Sequence, residues 1–188
     1  MSYTPKFNLA IGFILPHEAV YLRGHWGDMR FVTTENVAGD SGGLTKWGID
    51  QASHPHLNIA SLTYDDALGK VYFPEWQECG CEQLPERLAV AQFDVRVNGG
   101  HATTWLQLAM NQAARVHPRL EMDGVMGPAT ISAAQNLNED QERLVIAFFI
   151  RQRDLRFQIL ARSPARSKFL AGWLQRDRDL EKYLGVRA

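Results

Sequence analysis

Between residues 39 and 49 the chain reads Gly-Asp-Ser-Gly-Gly-Leu-Thr-Lys-Trp-Gly-Ile, a run that a helix cannot absorb. Glycine reaches positive φ without a Cβ clash, and short polar side chains beside it bond their own backbone, so the run predicts a tight turn. Thr45, Trp47 and Ile49 then alternate as a short strand does. Asp40 is therefore expected at a turn tip beside a rigid strand. Upstream, Glu18 stands in the largely apolar stretch Leu15-Pro16-His17-Glu18-Ala19-Val20-Tyr21. A glutamate there is either exposed on a helix face or held in a groove for a purpose.

The remainder reads as helix. From Phe7 to Leu22, apolar residues at Ile11, Ile14, Leu15 and Leu22 keep helical spacing. Pro16 lacks an N–H and disfavours αR at Leu15, which predicts a helix starting at Pro16 with Glu18 near its N-terminus. Residues 30–34 and 45–49 read as strands of a small antiparallel ribbon, and Gly48 to Ser53 as the first turns of a short helix.

Thr63-Tyr64-Asp65-Asp66 predicts a cap and an acidic first turn for a helix ending before Pro74. Further helices are expected over Glu86–Asn98, closed by Gly99-Gly100, over Ala102–Val116, and from Pro128 to about Leu137. Asn138 with Gln141 at N3 caps a long helix whose face includes Leu144, Phe148, Leu155 and Ile159, and Phe169–Leu184 closes the chain. The predicted class is mainly α, in the α+β sense: a helical bundle with one small β-hairpin lobe.

Composition excludes several functions. With 188 residues, 45% hydrophobic and 22% charged, the chain can bury a sizeable core. The formal net charge is −1, with 11 Lys/Arg against 7 Asp/Glu after residue 138. That mild basic bias suits an anionic polymer but falls well short of a nucleic-acid binder. Cys79 and Cys81, one residue apart, make a strained disulfide and supply half a zinc site, so free thiols in a reducing compartment are expected. His54-Pro55-His56 has no nearby acid or cysteine, so no metal is expected, and no cofactor. The apolar run Leu9–Leu15 is too short to span a membrane and leads straight into His17-Glu18, unlike a signal peptide. The expectation is synthesis in the cytoplasm and delivery to any external substrate by another agent.

Taken together, Glu18 and the pattern Asp40-x-Gly42-Gly43-x-Thr45-x-x-Gly48-Ile49 resemble the N-terminal part of glycoside hydrolase family 108, a group of N-acetylmuramidases that includes phage endolysins. Phe93-Asp94 through Asn98-Gly99-Gly100, Leu106-Gln107, Asp123-Gly124-Val125-Met126-Gly127-Pro128-x-Thr130 and Phe169 to Arg176 resemble the family's C-terminal part, a predicted peptidoglycan-binding region. Two departures stand out. Ala19-Val20 replaces the two glycines usual after the glutamate, and the segment from Arg23 to Gly39 is long, as an enlarged hairpin lip would be.

The resemblance implies a lysozyme-like catalytic lobe over residues 1–100 and a helical lobe over 101–188, packed as one compact unit. It implies cleavage of the β-1,4 bond between N-acetylmuramic acid and N-acetylglucosamine, which needs a proton for the leaving oxygen and stabilisation of an oxocarbenium-like centre. Glu18 is then the general acid, and Asp40 and Thr45 hold the attacking water. Tyr21, Trp47, Tyr72 and Asn98 are the candidate substrate contacts, by aromatic stacking and amide recognition, although Trp47 and Tyr72 are equally good core residues and Asn98 an equally good helix cap. Two other functions fit the same residues: a lytic transglycosylase leaving anhydro-muramic ends, and a non-catalytic wall-binding module. The expected partners are peptidoglycan strands and a holin or secretion system for delivery, to a chain that is a monomer and inserts in no membrane.

Overall fold

A computed structural model of the protein describes residues 2–36 and 42–186. Asp40 lies outside the described residues. Among the described residues the chain is mainly α with one three-stranded antiparallel sheet, the lysozyme-like class expected. It divides into two compact units: Phe7–Glu78, and Cys79–Ala188 together with Met1–Lys6.

The smaller unit is built on α1 (Pro5–Glu18), which buries Phe7, Ala10, Ile11, Phe13, Ile14 and Leu15. The helix does not begin at Pro16; it runs through it. Pro16 stands two residues before the end of the helix, so its missing N–H breaks one bond of the last turn only. Glu18 is thus the last residue of α1, at the carbonyl end of the helix and not at the amide end.

The sheet has the order β1 (Glu35–Asn36), β2 (Leu44–Lys46), β3 (Ile49–Asp50). Arg30–Thr34 is not a strand. Met29–Phe31 form a 3-10 turn capped by Asp28, whose carboxylate also takes two bonds from the Arg30 guanidinium, and only Val32 pairs, in an isolated bridge to Tyr21. The segment after Gly48 is β3 followed by turns, not the start of a helix.

A capping box at Thr63 and Asp66 opens α2 (Tyr64–Ala67), as the sequence predicts. The helix then continues past Pro74, through a π turn over Leu68–Tyr72 into α3 (Phe73–Glu78). In the π turn Phe73 N–H reaches Leu68 O, and the proline, which has no N–H to give, falls where α bonding resumes. Phe7 meets Phe73 and Trp76 edge-on, at centroid distances of 5.1 and 5.6 Å, tying α1 to α3.

In the larger unit α7 (Glu139–Leu160) packs against α4 (Glu86–Val97), α5 (Ala102–Ala109) and α9 (Leu170–Tyr183). Between α5 and α7 lies α6 (Pro128–Gln135), started by Gly127 and Pro128 as expected. The α7 cap is the Asn138–Gln141 box. Its buried face, however, carries Val145, Ile146, Phe149, Ile150 and Phe157, while Leu144, Leu155 and Ile159 are exposed. The stripe is turned from the expected one because it also holds Glu142 and Arg153, polar residues that an apolar count skips.

Arg153 is the centre of a buried ionic group. It donates to Asp94 on α4 (2.6 Å) and to Asp177 on α9, and Arg176 adds two bonds to Asp94 at 2.6 and 3.0 Å. Burial alone would push the Asp94 carboxyl up, but the two guanidiniums outweigh it and hold it below the usual carboxylate range. Asp177 goes the other way, to about 7, because burial and the neighbouring Asp154 carboxyl outweigh its single arginine.

Candidate active site

In the smaller unit the two sequence features of greatest interest meet. β2 and β3 are joined by a two-residue loop, Trp47-Gly48, with Lys46 opposite Ile49. Both loop residues have positive φ, 59° and 75°, the backbone of a type I′ hairpin turn. Trp47 is therefore not a strand residue alternating with Thr45 and Ile49. A tryptophan in the left-handed region is uncommon, and burial holds it there: 4% of it is exposed, and its indole N–H donates to Leu62 O at 3.1 Å.

Gly48 is constrained twice. Beyond its positive φ, a Cβ at this position would lie 2.7 Å from Glu18 Cβ, 3.0 Å from Glu18 Oε2 and 3.0 Å from Tyr72 Oη. The glutamate side chain and the tyrosine hydroxyl thus converge on bare backbone. Tyr72 gives its one proton to Trp47 O at 2.6 Å, so toward Gly48 its oxygen offers only lone pairs. Burial is nearly complete for Tyr72, at 2% exposed. Trp47 and Tyr72 therefore form the floor beneath Gly48 and offer no open ring face for a sugar.

Thr45 is half-buried on β2, its hydroxyl donating to Gly43 O at 3.3 Å. Glu35 of β1 and Asp50 of β3 stand directly opposite it on either side, so the three side chains share one face of the sheet. Burial works against the Asp50 charge, but bonds from Ser53 prevail and hold its carboxyl below the usual range. The sequence reading missed both carboxylates. Their place beside Thr45 depends on the reversal at Trp47-Gly48, which alternation through Trp47 conceals.

Tyr21 sits just beyond α1. Its hydroxyl donates to Met29 Sδ at 3.5 Å, and its ring lies 6.5 Å from that of Trp26. Trp26 is 75% exposed and is the open aromatic surface of this segment. Asn98 belongs to the larger unit, where it is the C-cap of α4. Among the described residues no group of three or more His, Cys, Asp or Glu is placed to hold a metal ion, and Cys79 and Cys81 are buried thiols in hydrogen-bond contact, Sγ to Sγ 2.7 Å. No described helix is long and apolar enough to cross a membrane.

Glu18, the last residue of α1, thus lies against the turn of the β2–β3 hairpin. Residues 33–100 match the family Glycosyl hydrolase 108, and residues 101–178 match the Predicted Peptidoglycan domain. The first match makes residues 33–100 a glycosyl hydrolase 108 domain, and the two together support a glycoside hydrolase acting on peptidoglycan. Glu18 lies ahead of the matched stretch. The fold is similar to that of SagA from Brucella abortus, with a TM-score of 0.68 at 20% identity over 95% of this chain and 92% of that one. No curated protein matches the sequence. The two family matches meet at residues 100 and 101, whereas the compact units meet at 78 and 79.

Proposed function

We propose that the protein is an N-acetylmuramidase, cutting the β-1,4 bond between N-acetylmuramic acid and N-acetylglucosamine with Glu18 as general acid. The observation that carries this reading is the packing of Glu18 on Gly48, where the absence of a side chain leaves the carboxyl against the hairpin turn. A glycosidic oxygen beside that carboxyl would take its proton as the bond breaks.

Thr45, with Asp40, is assigned to the water side. Asp50 and Glu35, opposite Thr45 in the sheet, supply further acceptors for a water on that face. Inversion is the expected course, for which the Glu18 and Asp40 carboxyls need to be roughly 6.5–9.5 Å apart to admit a water. Tyr21 and Trp26 are the candidate stacking surface for a sugar ring. In biology such an enzyme acts as an endolysin, reaching the wall through a holin or a secretion system.

The test is lysis of permeabilised bacterial cells followed by turbidity, wild type against Glu18→Gln, with mass spectrometry of the released fragments. Reducing muramic ends support hydrolysis by water. Anhydro-muramic ends would make the protein a lytic transglycosylase, and unchanged lysis by Glu18→Gln would remove the assignment of Glu18.

A further inference from the structure

The C-terminal unit holds a cleft of about 400 Å³ lined by the segment Ala114–Leu120, by α6 and the residues after it, and by Gln141 of α7. A second depression shares Arg115, Val116 and His117 with it and adds Arg119. The volume lies in the range of small-ligand sites. The cleft is also built in advance. α5 ends in a π turn over Met110–Ala114, and the chain leaves it through Arg115 at a φ of 52°, a left-handed conformation that few non-glycine residues adopt. Asn111, nearly buried, then pins the returning strand as a backbone would, donating to Leu120 O and accepting from Leu120 N–H, each at 2.9 Å.

The lining has a definite chemistry. Ala114, Val116, Pro118, Ala129, Ala133 and Leu137 give an apolar floor scaled to methyl groups. Arg115 and His117 line both depressions and Arg119 the second, all three exposed, and no acid lines either one. No Trp, Tyr or Phe lines them either, and saccharide sites rely on aromatic faces. Guanidinium groups over a methyl-sized floor suit a chain that alternates small apolar residues with carboxylates. In peptidoglycan that is the stem peptide, in which alanines flank a γ-linked glutamate and a diamino acid, and not the glycan.

We propose that this cleft binds the carboxylate-bearing stem peptide of peptidoglycan and holds the wall while the smaller unit cuts the glycan. The inference rests on peptidoglycan being the substrate, but not on Glu18. In an NMR titration of the full-length chain, the free tetrapeptide L-Ala-γ-D-Glu-diaminopimelate-D-Ala shifts amides of residues 114–120 and 129–141, and added salt weakens it. Arg115→Glu with Arg119→Glu weakens binding at least about tenfold. Ala129→Trp, an exposed change that fills the cleft from the opposite wall, does the same and keeps the test open if the arginine variant does not fold. Absence of peptide shifts at the cleft, shifts that survive Ala129→Trp, or chitotetraose moving these amides in place of the peptide would overturn the proposal. The probe has no glycosidic bond, so these outcomes are independent of the lysis assay on Glu18→Gln.

Discussion

Around Gly48 the chain brings groups together by leaving atoms out; around Arg153 it does so by putting full charges in. At the first place a missing Cβ lets Glu18 and Tyr72 approach backbone, and Tyr72 bonds Trp47 O. At the second, Asp94, Arg153, Arg176 and Asp177 come from three helices and are buried together. Taking charges out of water is costly and is offset only while every partner is present. A charge cluster is therefore fragile to the loss of one member, whereas a close approach is fragile to the gain of one atom. The first arrangement sets a carboxyl against a hairpin turn; the second uses its carboxyls to hold α4, α7 and α9 together.

The largest effect should come from breaking the charged cluster. Arg153→Met leaves Asp94 and Asp177 buried with fewer partners and should cost about 3–5 kcal/mol of stability, read from urea unfolding. Glu18→Gln should do the opposite: a hundredfold or greater loss of lysis, or about 2.7 kcal/mol in the barrier, with the unfolding midpoint held. Should both variants unfold alike, the contrast between the two regions fails.

Gly48→Ala tests the gain of one atom. The added Cβ meets Glu18 at 2.7 Å in a backbone that disfavours it, so a loss of about 1–3 kcal/mol in stability is expected together with lowered activity. Tyr72→Phe removes the bond to Trp47 O and should cost about 1 kcal/mol, with lysis reduced through a loosened turn.

A further effect is one of pH. Asp177 titrates near 7 in the folded chain against 3.8 when free, so the folded state holds its proton longer. The stability it contributes is complete below about pH 4 and is lost as the pH rises toward 7. Asp177→Asn should flatten that fall in the urea midpoint, and an unaltered slope would show that another group carries it.

The same contrast explains what could be read from the sequence. Helix starts at Thr63, Pro128 and Asn138 were legible because a cap is a local event, decided within four residues. The glycine motif and Glu18 were legible as a pair through the family pattern, and Gly48, a letter of that motif, is the point where Glu18 meets the hairpin. The run of α1 through Pro16 was not, since it depends on a buried apolar face outweighing a broken bond. Nor was the turn at Trp47, because a left-handed tryptophan is tolerated only once Leu62 and Tyr72 have closed around it. Asp50 and Glu35 stayed hidden behind that turn. The buried stripe of α7 was misjudged for a related reason: Arg153 is polar by composition and interior by partnership.

The two-residue loop at Trp47-Gly48 also sets where this enzyme's lineage can change length. Strand side chains alternate with a period of two, so a single residue inserted there would turn β3 over, carrying Asp50 away from Thr45 and Ile49 out of the interior. Residues 22–31 carry no such ratchet, since they are joined to the rest of their unit by a short bridge at Tyr21 and Val32. Natural relatives should accordingly differ by many residues in the lip ahead of the sheet and by none in the turn behind Glu18.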